Sequence, residues 1–278
     1  MTEARVEPWT RPVVMGVVNV TPDSFSDGGA WFTPGAAIAH GRSLLTEGAQ
    51  ILDIGGESTR PGAERPSEAE ELRRVLPVVE GLAEHGTVSI DTMRASVAVQ
   101  ALAAGASIIN DVSGGLADPE MAPLAAEHGI PFIAMHWRGH STQMQSRAQY
   151  DDVVADVVRE LTERRDALLA AGITRENLIL DPGYGFAKLA DHNWALLRGL
   201  DAIHEIGQRV LVGTSRKKFL GLVGRTPETE RPPRLRDTAT AATSLYAALN
   251  GAWGLRVHDV AGTVDTLDVA EALVGSGE

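Results

Sequence analysis

Residues 13–29 read VVMGVVNVTPDSFSDGG, an apolar β-branched run that passes directly into a polar, glycine-rich segment. The run predicts a buried strand, and the segment predicts a loop that begins where the strand ends. Further runs of the same apolar kind begin at Ile51, Thr87, Ser107, Pro131, Asn177, Arg209 and Leu255. The sequence therefore predicts eight short buried strands.

Segments with helical spacing separate these strands, such as PGAAIAHGRSLLTEG, SEAEELRRVLPVVEGLAEHG and DVVADVVRELTERRDALLAAG. Several end at a glycine directly before the next strand, where a left-handed C-cap is expected: Gly48, Gly86, Gly105, Gly129 and Gly172. Eight strand-helix units without a linker predict an α/β fold, a single (β/α)8 TIM barrel. Residues 1–278 would form one domain, with 1–12 as an N-terminal extension. An open doubly wound sheet is the alternative, but it seldom contains eight equal units.

Composition narrows the classes of partner. The chain has 278 residues, 44% of them hydrophobic, a formal net charge of -12 and no cysteine. This charge argues against nonspecific binding to nucleic acid or to an anionic membrane, because both need a basic face. Disulfides, thiolate nucleophiles and cysteine-based zinc sites are excluded. No apolar stretch is long enough to cross a bilayer, and the acidic start MTEARVEPWTRP differs from a secretory signal, so we expect a cytoplasmic protein.

Polar residues follow the predicted strands at the end where barrels of this kind hold their active sites. They are Asn19, the segment GGESTRPG, Asp91, Asn110, Asp111, His136, Asp181, Ser215, Arg216, Lys217, Arg256 and His258. Buried polar groups without partners reduce stability, so this ring predicts a ligand site or a closed hydrogen-bond network. A single Asp after a strand would more often be a helix N-cap.

Arg256 and His258 are two residues apart on the last predicted strand, so their side chains leave the same face. A guanidinium fork and an imidazole that converge on one point suit the oxygens of a phosphate group. Alternatively, Arg256 pairs with a local carboxylate such as Asp259 and His258 is satisfied in the core. Asp259 is expected to face the other way, which weakens this alternative.

Asp91, Asn110, Asp181 and Lys217 come from successive or nearby strands. Their groups are complementary to the edge of a heteroaromatic ring: a carboxylate accepts two parallel N–H bonds, Asn donates and accepts, and Lys donates. Metal binding by Asp91 and Asp181 is the alternative. Lys217 argues against a multi-carboxylate metal site because an ammonium group and a metal cation repel each other.

Seven motifs together carry a family resemblance: GVVNVTPDSFSDGG, ILDIGGESTRPGA, SIDTMRA, INDVSGG, DPGYGFAK, GTSRKKFLG and RVHDV. In this order and spacing they resemble the bacterial dihydropteroate synthases, and HWR, HNWALL and GAWGLRVHDV are most similar to the actinobacterial members. The resemblance runs from about Val13 to about Leu273. It implies condensation of 6-hydroxymethyl-7,8-dihydropterin pyrophosphate with p-aminobenzoate to 7,8-dihydropteroate and pyrophosphate, a step of folate synthesis that sulfonamides inhibit. It also implies Mg2+ as cofactor, these two small molecules as substrates, and a homodimer.

The resemblance also assigns residues to each substrate. Pterin contacts are implied for Asp91, Asn110, Met135, Asp181, Phe186 and Lys217. Pyrophosphate contacts are implied for Asn19, Arg256 and His258, with Asn19 acting through the metal ion. The p-aminobenzoate site would be bordered by Phe25, Thr59, Arg60, Pro61 and Ser215. Catalytic roles would fall to Asp27, Lys217, Arg256 and His258, with the first two loops closing over the substrates.

Two other functions compete with the synthase. A pterin-binding methyltransferase domain shares the barrel and the pterin pocket, but it would need neither the Arg256 and His258 pair nor the DSFSDGG loop. A noncatalytic pterin-binding paralogue is expected to lose loop or phosphate residues, which this chain keeps. One departure from the family pattern is Tyr184 in DPGYGFAK, which either alters the pocket rim or points outward.

Overall fold

The computed structural model describes residues 10–21, 33–58, 65–139 and 147–274. Its strands are parallel and close into a barrel in chain order, from β1 beside β2 round to β8 beside β1. The predicted (β/α)8 barrel and its eight strands are confirmed. The strands β1 to β8 are Val13–Asn19, Ile51–Gly55, Thr87–Asp91, Ile108–Asp111, Phe132–Met135, Leu178–Asp181, Arg209–Val212 and Gly254–Val257.

Helices connect successive strands and cover the outside of the barrel. The α-helices α1 to α10 are Pro34–Thr46, Glu68–Ala83, Ala95–Ala103, Met121–His128, Val153–Ala170, Ala190–Arg198, Leu200–His204, Lys218–Gly221, Asp237–Leu249 and Val260–Val274. Two 3-10 turns, Pro227–Thr229 and Pro233–Arg236, precede α9. None of the helices in the described part of the chain is long and apolar enough to span a membrane.

Local sequence explains where several helices begin. The hydroxyl of Thr33 accepts a hydrogen bond from the backbone N–H of Ala36 at the start of α1, and the hydroxyl of Ser67 does the same for Glu70 in α2. The carboxylate of Asp152 caps α5. Each cap satisfies an N–H group that has no partner within the helix.

Four of the five glycines predicted to end helices have the expected left-handed backbone. Left-handed φ angles occur at the predicted positions Gly48, Gly105, Gly129 and Gly172. The prediction for Gly86 is wrong, because its φ is not positive. Packing explains this glycine instead: a β-carbon there would lie 2.8 Å from Cδ2 of Leu45, closer than a carbon-carbon contact allows.

The interior of the barrel is layered. Six apolar side chains, each from a different strand, form one buried cluster: Met15, Ile51, Ile108, Ile133, Ile179 and Leu211. Because side chains alternate along a strand, the residues two positions later face the same interior. Those residues include Asp53, Asn110, Met135 and Asp181, so the apolar layer supports a polar one at the C-terminal ends of the strands.

Candidate active site

Four buried polar side chains meet above the apolar layer. The amide nitrogen of Asn110 donates to Oδ2 of Asp53 at 2.9 Å, and the guanidinium of Arg256 lies 3.7 Å from the same carboxylate oxygen. The other end of this guanidinium lies 3.4 Å from Oδ2 of Asp181. All four residues are at most 8% exposed. They form the floor of the candidate site.

This floor is incompletely satisfied. Buried atoms without a hydrogen-bond partner include Oδ1 of Asp53, Oδ1 of Asn110, Oδ2 of Asp181 and Nη1 of Arg256. Buried polar atoms almost always have a hydrogen-bond partner in folded proteins, so four that lack one at the same place indicate a site for a polar ligand. The set offers carboxylate and amide acceptors beside a cationic donor, which matches a ring edge that both donates and accepts.

Burial shifts the pKa values of several ionisable groups at the floor. Burial raises the pKa of Asp53, although Arg256 opposes the shift. Burial and the nearby Asp53 carboxylate raise the pKa of Asp91 well above its usual value. Burial, aided by Arg256, lowers the pKa of Lys217 to about 8. The site therefore combines carboxyl groups whose pKa is raised with an amine whose pKa is about 8.

One wall of the site is apolar. It is formed by a buried cluster of Met93, Val112, Met135, Phe186 and Ala187. The ammonium group of Lys217 lies 4.0 Å from the centre of the Phe186 ring, a cation–π distance. A flat aromatic ligand on the polar floor would therefore contact sulfur and aromatic surface as well as hydrogen-bonding groups.

The segment after β7 is held in a strained conformation. Arg216 has φ +57°, one of two non-glycine residues with a left-handed backbone among those described. Its side chain forms a bidentate pair with Asp237 at 2.7 and 2.9 Å, and Thr240 accepts its backbone N–H. These contacts with α9 offset a conformation that disfavours L-residues. They fix the neighbouring Ser215 and Lys217.

Ser215 forms hydrogen bonds with His258. Its hydroxyl lies 2.9 Å from Nδ1 of His258 and accepts the backbone N–H of the same residue at 3.1 Å. These bonds orient the imidazole. Ser215 thus links the segments that follow β7 and β8. The sequence assigns it only to the border of the p-aminobenzoate site.

Most of the predicted site residues that lie in the described ranges are brought together. Asp91, Asn110, Asp181 and Arg256 lie close enough to influence one another, and Lys217 contacts Phe186. The alternative partner Asp259 is wrong, because the described carboxylates within 4 Å of Arg256 are those of Asp53 and Asp181. The rest of that alternative is present, since Arg256 lies beside carboxylates and His258 has a hydrogen-bond partner in Ser215. Asn19 ends β1 and is partly exposed.

Two polar candidates face away from the floor. The carboxylate of Asp111 accepts hydrogen bonds from the backbone of Ser113 and Gly115, so it shapes the loop after β4. Tyr184 is buried in the layer between barrel and helices, and its hydroxyl donates to the carbonyl of Leu196 at 3.5 Å. Of the two possibilities for Tyr184, outward packing is confirmed.

Five assigned residues lie outside the described part of the chain: Phe25, Asp27, Thr59, Arg60 and Pro61. Sequence reasoning missed Asp53, Met93 and Val112. Asp53 could have been found, because an acid two residues after Ile51 interrupts an apolar strand at an inward-facing position. Met93 lies two residues after the end of β3, Val112 lies directly after the end of β4, and neither carries a distinguishing signal.

The chain's own residues provide no enclosed metal site within the described ranges, since no cluster of three or more His, Asp or Glu side chains could bind an ion there. An Mg2+ ion held mainly by a phosphate-bearing substrate would need few protein ligands, because Mg2+ commonly uses one or two of them together with phosphate oxygens and water. The side-chain oxygen of Asn19, at the C-terminal end of β1, is a suitable hard ligand.

Comparison with known proteins decides the family. The profile described as "Pterin binding enzyme" matches residues 15–258. Dihydropteroate synthase of Mycobacterium leprae is 52% identical over 95% of this chain and 94% of its own length. The chain belongs to the dihydropteroate synthase family.

Solved structures of this family align along nearly the whole barrel. The Xanthomonas albilineans dihydropteroate synthase with 4-aminobenzoic acid has a TM-score of 0.87 and 48% identity, covering 96% of this chain and 94% of that one. The same organism's dihydropteroate synthase in complex with 7,8-dihydropteroate has a TM-score of 0.83 and 46% identity, covering 96% and 95%. The chain therefore has the family's barrel along nearly its whole length, including the strands that carry the polar floor.

Proposed function

We propose that this chain is a dihydropteroate synthase that condenses 6-hydroxymethyl-7,8-dihydropterin pyrophosphate with p-aminobenzoate, forming 7,8-dihydropteroate and pyrophosphate. The observation that carries the proposal is the group of four buried atoms without a hydrogen-bond partner on Asp53, Asn110, Asp181 and Arg256. A pterin has an amino-pyrimidinone edge whose donors and acceptors would satisfy them. A ligand without that edge would leave them unpaired, which gives selectivity.

The pterin would lie on this floor. Asp91, Asn110 and Asp181 accept or exchange hydrogen bonds with its polar edge, and Lys217 donates to a ring nitrogen or carbonyl. Met135 and Phe186 contact the ring faces. Burial strengthens each of these hydrogen bonds because the local dielectric is low.

The pyrophosphate would lie beside the pterin at the mouth of the barrel, against Arg256, His258 and Asn19. Ser215 supports this role because it orients the His258 ring. Mg2+, bound by Asn19 and the phosphate oxygens, would stabilise the negative charge of the leaving group. Arg256 and His258 add donors for the same charge.

The chemistry follows from the substrate. The carbon that carries pyrophosphate is attached to a dihydropterin, whose electrons stabilise positive charge there, so the carbon-oxygen bond can break before the amine attacks. The nitrogen of p-aminobenzoate then forms the new bond and loses a proton to water or pyrophosphate. The protein contributes positioning and charge stabilisation, and no side chain is assigned as general base.

The first two loops complete the site in this proposal. Phe25, Thr59, Arg60, Pro61 and Ser215 border p-aminobenzoate, and Asp27 stands near the developing positive charge. Closure over the substrates would exclude water from a reactive cation.

The decisive experiment measures pyrophosphate release with the dihydropterin pyrophosphate and Mg2+, with and without p-aminobenzoate. Arg256→Ala and Asp27→Ala test the assigned roles, and Arg225→Ala, an exposed arginine of the connection after α8, is the matched control. We expect release coupled to dihydropteroate formation in the wild type and the control, and its loss in the two test variants. Pterin binding without release or product would favour the noncatalytic paralogue instead.

We further propose that residues 1–278 work as one domain, with 1–12 as an extension, in a cytoplasmic homodimer. A cytoplasmic location is supported by the substrate, because a pyrophosphate ester carries several negative charges and does not cross a bilayer unaided. Cell fractionation with an antibody to the chain tests it: recovery with the membrane or the secreted fraction would contradict it.

A further inference from the structure

A second buried lysine lies beside the pterin floor, and the mechanism above does not use it. Lys188 is 5% exposed and belongs to the connection between β6 and α6. Its ammonium group lies 3.1 Å from the carbonyl of Gly183, 3.2 Å from the carbonyl of Phe186 and 3.0 Å from Nδ1 of His136. An ammonium has three donors, and here each has an acceptor.

Two of these acceptors belong to the segment that contributes Phe186 and Ala187 to the apolar wall of the site. Gly183, Gly185 and Ala187 all have left-handed φ angles, of +72°, +77° and +47°, so the segment turns sharply three times. Asp181 begins it, and Phe186 lies near its end. Because the Lys188 ammonium donates hydrogen bonds to the carbonyls of both Gly183 and Phe186, it fixes the conformation of this strained turn.

The third acceptor connects Lys188 to the neighbouring strand. His136 follows β5, and its other ring nitrogen lies 3.0 Å from Oε2 of Glu160 on α5. Burial, together with Lys188, lowers the pKa of His136 to about 4, so the ring is neutral near pH 7. A neutral ring that accepts at Nδ1 must carry its proton at Nε2, where it donates to Glu160.

A separate contact braces the same turn. Arg138 donates to Glu160 at 3.1 Å and lies 3.8 Å from the centre of the Tyr150 ring. The hydroxyl of Tyr150 donates to the carbonyl of Ala187 at 3.1 Å. Lys188 thus hydrogen-bonds the carbonyls of Gly183 and Phe186, and Tyr150 hydrogen-bonds the carbonyl of Ala187 in the same turn.

We propose that Lys188 is a positioning residue for the pterin site, which holds the 183–187 turn so that Phe186 lies against Lys217 and Asp181 faces the floor. The proposal rests on the proposed function, since the site is taken to bind a pterin. Lys188 does not contact the substrate in this proposal. It acts through the backbone of the turn.

Lys188→Met tests the proposal because it keeps an unbranched side chain, only one atom shorter, and removes all three donors. The chain has only three lysines, and Lys218→Met is the matched control because Lys218 is largely exposed. Calorimetry with 6-hydroxymethylpterin should show affinity lower by about tenfold or more in Lys188→Met, as for a lost supporting residue, and unchanged in Lys218→Met. The KM for p-aminobenzoate should change by much less than the KM for the pterin substrate.

The pH dependence separates positioning from a general loss of stability. The groups that face Lys188 are His136, Asp181, Glu160, Arg138 and Lys217. Burial lowers the pKa of Lys188 to about 7, so its third donor is lost as pH rises through that value. Wild-type pterin affinity should therefore begin to fall near pH 7, and this part of the profile should be absent in Lys188→Met.

Each outcome is informative. If the wild type binds no pterin, the proposed function fails, whatever the variants do. If the wild type binds and Lys188→Met binds within about twofold of it, the positioning role is wrong. Should Lys188→Met not fold, His136→Phe replaces it, because this variant keeps a buried ring and removes one acceptor of Lys188. An unchanged pterin affinity in His136→Phe would then overturn the proposal.

Discussion

At the scale of single residues, the site depends on polar atoms that the fold leaves unpaired. Asp181 shows this most clearly. Its Oδ1 accepts the backbone N–H of Gly183 at 2.7 Å, while its Oδ2 has no hydrogen-bond partner and faces Arg256. One oxygen therefore shapes the protein, and the other is available to a ligand.

This division gives a prediction for Asp181→Asn. The variant keeps the volume but loses the charge, so pterin affinity should fall by about 10- to 100-fold, the usual effect of a lost charge-assisted hydrogen bond. Calorimetry with 6-hydroxymethylpterin measures it. Asp201→Asn on α7, an exposed position, is the control and should bind like the wild type. Equal affinity of all three proteins would remove Asp181 from the site.

Lys217 predicts the alkaline limit of pterin binding. Burial lowers its pKa to about 8, so it donates as an ammonium below that pH and becomes a neutral amine above it. Pterin affinity should therefore fall as pH rises through about 8, beyond the earlier decline attributed to Lys188. Lys217→Arg should abolish this second decline, because a guanidinium stays charged up to about pH 12. A second decline that persists in Lys217→Arg would assign it to another group.

At the scale of elements, strand periodicity explains how much of the site could be foreseen. Asn110 and Asp181 each lie two residues after an apolar interior residue, Ile108 and Ile179, and this alternation is visible in the sequence. The same rule separates Asp111 from Asn110, since neighbours on a strand face opposite ways. Residue type and alternation are local properties, so the polar ring could be predicted.

Contacts between elements could not be predicted in this way. The pairing of Asp53 with Arg256 joins β2 to β8 and depends on barrel closure. Gly86 has an ordinary φ, and the presence of glycine there is explained by the close contact that a β-carbon would make with Leu45 of α1. Such contacts depend on three-dimensional packing, which a single sequence does not display.

The strained segment after β7 gives a prediction about the backbone alone. Arg216→Ala and Arg216→Gly both lose the pair with Asp237, but only glycine adopts a φ near +57° without strain. The free energy of unfolding should therefore be about 1 kcal/mol lower for the Ala variant than for the Gly variant. Urea unfolding followed by circular dichroism measures the difference. A Gly variant no more stable than the Ala variant would mean that position 216 is not left-handed.

At the scale of the whole molecule, the barrel places its chemistry at one end and leaves the outer helices free for other contacts. The outer face of α9 is unusual for a chain with a net charge of -12. Its exposed residues are spaced as one helical stripe and none is charged: Thr238, Ala242, Tyr246 and Leu249. An uncharged stripe of this kind suits a self-complementary interface.

The homodimer can therefore be tested through Leu249, which is 43% exposed. In sedimentation, the wild type should have twice the mass of the chain, and Leu249→Glu should have the mass of a single chain. The reason is that a twofold interface would bury two unpaired carboxylates, at several kcal/mol each. Val99→Glu on α3 is the control because Val99 is similarly exposed and lies on a different helix. A wild type with single-chain mass would refute the dimer, and disruption by Val99→Glu alone would move the interface away from α9.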